Sequence, residues 1–210
     1  NASAGRRESD GRTREGHPMQ MAAGVADGAA AVTKNEGLLF ALAIPFALAV
    51  VGPAAQWRER MTEVLQFAKG LALPLALLLA LKLAMGGEND LAADLTWQSL
   101  TQVLDLSRHQ LIITSFAKMT LMLVGLPLLT LLLAMGFWLG IPRHSTHSRY
   151  LAACTLALTL QLAGYYVIYL ITERDLAWHL GTSNLRLLIH LWPSTLLLFF
   201  VATPPFENRE

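Results

Sequence analysis

Apolar residues are arranged along this chain in long blocks that shorter polar segments separate. The blocks lie at approximately 37–55, 68–85, 111–139, 150–171 and 188–203. A bilayer core about 30 Å thick is crossed by about 20 helical residues, with a range of roughly 17–25. None of the blocks alternates with the two-residue period that a membrane β-barrel requires. The pattern therefore predicts an all-α fold, a polytopic transmembrane helical bundle with about five spans.

The first residues of the chain differ in character from everything that follows. Residues 1–18 are rich in charged residues and glycine and have no apolar period. Such a segment buries too little apolar surface to fold, so we predict that it is disordered. The remaining residues, 19–210, are predicted to form the transmembrane helical domain. Because the chain begins at Asn1 rather than Met, we also expect it to be a fragment of a longer protein.

Composition supports the membrane assignment and excludes some partners. Apolar residues make up 54% of the chain and charged residues 15%, whereas soluble domains carry about 25% charged residues. A net charge of +1 provides no general attraction for nucleic acid. The single cysteine, Cys154, excludes an internal disulfide and a cysteine-based metal cluster. No cofactor is indicated, and membrane lipid is the one partner that composition predicts.

The polar segment between the second and third blocks has a helical pattern of its own. Residues 86–110 carry leucines and a valine at roughly helical spacing, and Trp97 would suit headgroup depth. We predict one interfacial amphipathic helix here. It either shapes the entrance of a substrate or simply covers the bundle.

Four residues that could carry chemistry have simpler explanations. Lys82 and Lys118 lie inside apolar runs but close to polar loops, so their ammonium groups can reach the membrane surface. The alternative is that each faces a cavity or a partner. His144 and His147 are three residues apart, but no third ligand is near, and zinc sites usually need three or four. No metal site is predicted.

The first candidate site precedes the first block. Lys34 and Glu36 lie in the sequence TKNEG. The lysine is placed to meet a lipid phosphate or diphosphate as a point charge. The alternative is a lysine that ends a membrane helix, paired with a nearby carboxylate.

The second candidate site lies between the fourth and fifth blocks. Residues 172–193 contain two arginines, two carboxylates, two histidines and two tryptophans. We predict a helix start at Thr182–Asn184, because serine and threonine cap helices. Asp175, Trp178 and His179 are three and four residues apart and could share one helical face. The segment is either a rim that touches a polar or sugar substrate, or an aromatic belt with solvated charges.

Together, TKNEG at Thr33–Gly37 and DLAWHLGTSNLRLLIHLWP at Asp175–Pro193 resemble motifs of bacterial polytopic glycosyltransferases of the GT-C class. The resemblance is strongest to the family 39 and RgtA/B/C/D-like branch and extends over residues 22–205. It implies transfer of a sugar from a polyprenyl-phosphate donor on the periplasmic face of the bacterial inner membrane. It also implies that Lys34, with Glu36 beside it, approaches the donor's phosphate. Arg174, Trp178 and His179 would border the donor or acceptor cavity.

The family's catalytic carboxylate has no counterpart in this chain. In the family it lies in a large periplasmic loop near the start of a much longer chain. Asp10, Asp27 and Glu36 do not stand in such a loop. The resemblance therefore implies the C-terminal part of a transferase, inactive alone, with no catalytic residue. The alternative is a non-enzymatic membrane scaffold or complex subunit, and a small transporter ranks last because no internal repeat is visible.

Overall fold

The fold is known from a computed structural model that describes residues 18–32, 35–52, 56–85, 101–139 and 148–202. Within these ranges the chain forms six long α-helices and no strand. They are α1 at 18–32, α2 at Asn35–Val50, α3 at Trp57–Met85, α4 at Leu106–Leu139, α5 at Ser148–Ile171 and α6 at Leu176–Ala202. The all-α prediction is confirmed for the part of the chain that is described.

Three of these helices are long and apolar enough to cross a membrane. The spans are Trp57–Ala84 in α3, Arg149–Ile171 in α5 and Leu176–Ala202 in α6. The apolar part of α2, Gly37–Val50, is shorter. These helices support the prediction of an integral membrane protein. The figure of about five spans stays a prediction, since the described residues supply three.

Two helices begin more than ten residues before their apolar blocks. Helix α3 starts at Trp57 and α6 at Leu176, so their polar first turns belong to the helices and not to connections. Helix α2 ends at Val50, just before Gly52, whose φ of 122° does not suit a residue with a side chain. Polar residues at the end of a span can therefore be helical, because hydropathy marks the membrane and not the helix.

Several predictions concern residues outside the described part of the chain. They are the disordered segment, described only from residue 18 onward, most of the interfacial helix at 86–110, Lys34, the side chain of Glu36, His144 and His147. These stay predictions.

The chain divides into two compact units. The first comprises residues 1–87 with 152–157, and the second comprises 88–151 with 158–210. Each is described by itself.

In the first unit, α1 and α3 approach each other at glycines. A Cβ atom at Gly24 would overlap the carbonyl oxygen of Phe67, and one at Gly70 would overlap that of Met21. A Cβ at Gly28 would lie 2.7 Å from Cβ of Pro74. The absence of side chains lets the two backbones come together, as small residues do between membrane helices.

Helices α2 and α3 of the first unit are joined by an arginine. The guanidinium of Arg60 donates to the carbonyl oxygens of Ala49, at 2.8 Å, and Val50, at 3.0 Å. These carbonyls belong to the last turn of α2, which has no intrahelical donor for them. A positive charge at a helix C-terminus is favourable, so Arg60 caps the end of α2. The Arg60 side chain is buried.

In the second unit, α4 is kinked at Gly125. This residue has φ 67° and ψ 150°, outside the helical region. Only glycine adopts such a positive φ readily. The long third block is thus helical on both sides of a kink at this glycine.

Candidate functional site

The polar residues of the second unit concentrate where three helix ends meet: the start of α4, the end of α5 and the start of α6. We call this group the helix-end cluster. It comprises Asp105, Arg108, His109, Tyr166, Tyr169, Thr172 and Asp175. Asp105, Arg108 and Asp175 bond to backbone groups that helix ends leave unsatisfied.

Asp105 begins α4. Its carboxylate accepts hydrogen bonds from the backbone N–H of Ser107, at 2.9 Å, and from the Ser107 hydroxyl, at 2.7 Å. The hydroxyl bond is the main reason that the pKa of Asp105 lies below its ordinary value, and the backbone bond adds to it. Asp105 therefore acts as a helix cap.

Asp175 begins α6 in the same way. Its carboxylate accepts from the backbone N–H of Trp178 at 2.7 Å, and its carbonyl accepts from the N–H of His179 at 3.0 Å. The first helical turn is thus closed by a side chain that the sequence offers immediately before Leu176.

The predicted helix start at Thr182–Asn184 is wrong. The hydroxyl of Thr182 donates to the Trp178 carbonyl at 3.0 Å, and that of Ser183 donates to the His179 carbonyl at 2.7 Å. These hydroxyls bond to the preceding turn, as serine and threonine do inside a helix. Asp175 has already supplied the cap two turns earlier.

The end of α5 is closed by an arginine from α4. A terminal nitrogen of Arg108 donates to the carbonyl of Tyr169 at 3.2 Å and to that of Thr172 at 2.9 Å. These carbonyls lie at the end of α5 and have no donor within the helix. The Arg108 guanidinium therefore caps the C-terminus of α5. The bond joins residues more than 60 positions apart in the chain.

His109 has a defined tautomer in this cluster. Its Nε2 lies 2.7 Å from the carbonyl oxygen of Val103, which can only accept, so Nε2 carries a hydrogen. In the neutral ring Nδ1 is then the acceptor, and it pairs with the hydroxyl of Tyr166. His109 thereby fastens the segment before α4 to α5.

Tyr169 is the buried centre of the second unit. Its hydroxyl lies 2.7 Å from the Ser183 hydroxyl. Because the Ser183 hydroxyl donates its hydrogen to the His179 carbonyl, Tyr169 is the donor in this bond. Its ring meets Phe116 and His179 edge to face, with centroids 5.7 Å and 5.0 Å away. One side chain thus connects α4, α5 and α6.

A second buried contact joins α4 and α6. The Asn184 side-chain NH₂ donates to the Ser115 hydroxyl at 3.0 Å, and Asn184 has 0% of its surface exposed. The bond pins one helix to the other. The Asn184 amide oxygen has no hydrogen-bond partner among the described residues.

The residues that the sequence nominated between the fourth and fifth blocks differ in exposure. Trp178 is 58% exposed and Arg174 is also exposed, whereas His179 is half-buried against Tyr169. Asp175 is used as a cap. The proposed shared face is therefore split: Trp178 is presented outward and His179 belongs to the core.

The exposed side of α6 carries a line of polar and aromatic residues, of which the sequence analysis nominated only Trp178. This α6 stripe consists of Trp178, Thr182, Arg186 and His190, all exposed. Beside it, a Cβ at Gly181 would meet no atom within 4 Å, so the surface there is open. A spacing of four residues was the available signal, because it places side chains along one side of a helix.

Metal chemistry finds no support in the described part of the chain. No group of three histidine, cysteine, aspartate or glutamate residues lies close enough there to hold a metal ion. Asp105 and Asp175 are committed to capping helices. Both carboxylates therefore have structural partners.

Comparison of the chain with protein-family models, with curated proteins and with solved structures finds no match in any of the three. The site is therefore interpreted from its own chemistry.

Proposed function

We propose that this chain is the membrane portion of a bacterial inner-membrane glycosyltransferase that binds a polyprenyl-phosphate-linked sugar. It would hold the lipid donor on the periplasmic face, while the catalytic carboxylate lies elsewhere in the enzyme. The observation that carries the proposal is the α6 stripe, an exposed polar line on a helix apolar enough to span a membrane.

The chemistry of the α6 stripe suits an anionic lipid. A cation exposed on a membrane helix is costly unless it faces water or an anionic partner. Arg186 can bind a phosphate through two parallel N–H groups, and Trp178 suits headgroup depth. Arg174, exposed at the start of the same helix, adds a second positive charge. A phosphate with a long apolar chain would match both the charges and the apolar surroundings.

The helix-end cluster explains why this portion would not catalyse the transfer alone. An inverting transfer needs a carboxylate base, with polyprenyl phosphate as the leaving group. The two aspartates of the helix-end cluster, Asp105 and Asp175, accept hydrogen bonds from helix N-termini instead. The cluster would thus keep the binding helix rigid while another part of the enzyme supplies the base.

Native mass spectrometry of the detergent-solubilised protein tests donor binding. Polyprenyl phosphate should bind, and polyprenol of equal length should not. Arg186→Gln should weaken binding about tenfold or more, since hydrogen bonds to charged groups contribute about 1.5–3 kcal/mol. The matched control is Arg58→Gln, an exposed arginine of the first unit. Equal binding of polyprenol, or equal losses in both variants, would refute the proposal.

The second candidate is a non-enzymatic membrane scaffold or complex subunit. Several polar side chains of the second unit bond one helix to another, among them Arg108, Tyr169 and Asn184. Such bonds favour a structural role. Native gel electrophoresis of membranes from the source cell separates the two ideas. A scaffold would migrate in a large complex that Arg186→Gln leaves intact, and its polyprenyl phosphate binding would be absent.

A further inference from the structure

One buried acid of the first unit takes no part in the proposed donor site. Asp27 lies in α1 with 8% of its surface exposed. Neither of its carboxylate oxygens has a hydrogen-bond partner among the described residues. A buried carboxylate is normally paired, hydrogen-bonded or neutralised by a proton. The surroundings of Asp27 decide which of these applies.

The contact between α1 and α3 leaves little room for a partner. Asp27 stands between Gly24 and Gly28, where the two backbones touch. One turn further, Ala31 is packed in a core with Phe67 and Leu71. The residues named at this contact are apolar or contribute backbone groups. The site therefore offers an ionised carboxylate almost no solvation.

Charged residues on the neighbouring helices do not compensate. On α3, Arg58, Glu59, Arg60 and Glu63 precede the contact with α1, and Lys82 follows it. Lys69 lies within the contacting stretch, but its side chain is exposed and is not among the causes that shift the pKa of Asp27. Arg60 donates to the last carbonyls of α2. The described side chains of α2, which begin at Gly37, include no ionisable group, and Asp27 is the only one on α1. Burial is the sole cause that raises the pKa of Asp27, to about 6.

We propose that Asp27 is a proton-binding site that couples the packing of α1 on α3 to pH. When the helices are packed, the carboxylate takes one proton from water and becomes a neutral acid with an O–H donor. When they separate, the acid is hydrated and returns the proton to water. Proton uptake thus accompanies closure of the contact, and this site is independent of the donor-binding proposal.

Pro74 makes this contact suitable for a protonated acid. Proline has no N–H, so the carbonyl of Gly70 loses its helical donor within α3. Gly70 itself lies against α1, where a Cβ would meet the Val25 nitrogen at 3.0 Å. The O–H of a protonated carboxyl is a donor of the kind that this carbonyl accepts. The carboxylate form can only accept and would gain nothing there.

Infrared spectroscopy of the purified protein tests the site directly. The carbonyl stretch of a protonated carboxylic acid should appear as the pH is lowered from about 8 to about 5, around the raised pKa. Asp27→Asn should remove this band. The control Asp105→Asn should retain it, because the pKa of Asp105 is lowered and not raised. Persistence of the band in Asp27→Asn would overturn the proposal.

A second measurement needs no mutation. In protein labelled with ¹³C-aspartate, one carboxyl resonance should titrate near pH 6, above the ordinary range. Replacing sodium by a bulky organic cation at constant pH should leave that resonance unchanged. If no resonance titrates there, the proposal fails. If the resonance follows sodium, the ligand is a metal cation and the proton assignment is wrong.

Discussion

Buried polar side chains that join helices in the second unit contrast with one buried acid of the first unit. In the second unit the hydroxyl of Tyr169 and the amide nitrogen of Asn184 each bond across helices. In the first unit Asp27 is buried without a hydrogen bond in the described part of the chain. Buried polar groups stabilise a fold when they are paired and cost free energy when they are not. The paired groups of the second unit thus stabilise its helix packing at any pH, whereas the first unit contains a group that responds to pH.

Backbone separation accounts for the difference. In the first unit the glycines bring the backbones of α1 and α3 into contact beside Asp27, whose carboxylate has no hydrogen-bond partner among the described residues. In the second unit, Tyr169 and Phe116 stand between helices, and the space they create admits Ser183. Small residues therefore exclude partners, whereas aromatic residues make room for them.

The largest effect is expected from filling the glycine contact. Gly70→Ala should destabilise the protein by about 3 kcal/mol or more, because its Cβ would overlap the backbone of α1. Gly181→Ala is the control: its Cβ meets open space, and alanine favours a helix by about 1 kcal/mol. Thermal unfolding in detergent measures both. Equal unfolding temperatures for Gly70→Ala and the unmodified protein would contradict the close packing.

Neutralising the buried acid should stabilise the first unit at alkaline pH. The pKa of Asp27 is raised from 3.8 to about 6, so its contribution is fully present below pH 3.8 and is lost as the pH rises through about 6. Asp27→Asn should thus raise stability on the order of 2 kcal/mol at about pH 8 and change little at about pH 4. Unfolding temperatures across this range check the slope. A variant as pH-dependent as the unmodified protein would show that another group titrates.

Removing the arginine that closes α5 should have a smaller cost. Arg108→Met leaves the carbonyls of Tyr169 and Thr172 without this donor, which should cost about 1–3 kcal/mol. Arg174→Met is matched in chemistry, and the Arg174 side chain is exposed. Hydrogen exchange of the last turn of α5 should quicken in Arg108→Met alone. Unchanged exchange there would mean that the cap is unimportant.

The smallest effect on stability is expected from removing the Tyr169 hydroxyl while its ring is retained. Tyr169→Phe retains the contacts with Phe116 and His179 but removes the bond to Ser183. We expect a loss of about 0.5–1.5 kcal/mol in the free energy of unfolding. Tyr150→Phe, at an exposed tyrosine of α5, should be neutral. An unchanged free energy of unfolding in Tyr169→Phe would show that the bond between Tyr169 and Ser183 does not stabilise the second unit.

Some features of the site could have been found in the sequence and others could not. Gly24 and Gly28 form a Gly-x-x-x-Gly motif, a known signature of close helix packing. Asp175, immediately before a helical pattern, is an ordinary capping signal. The role of Arg108 was not accessible, because it closes a helix that ends more than 60 residues later. The identity of its acceptors depends on which helices become neighbours.

The chain's own pattern of apolar residues determined that the protein is helical and meets the membrane. The free energy of transferring a segment from water to the bilayer depends on the composition of that segment. Membrane-spanning segments can therefore be predicted without knowing the fold. Only the tertiary structure decided that His179 packs inward while Trp178 faces outward, and that Asp27 is buried without a hydrogen bond in the described part of the chain. Those outcomes depend on the rotation of each helix about its axis and on the distance between backbones. Both are set by packing among helices that lie far apart in the sequence.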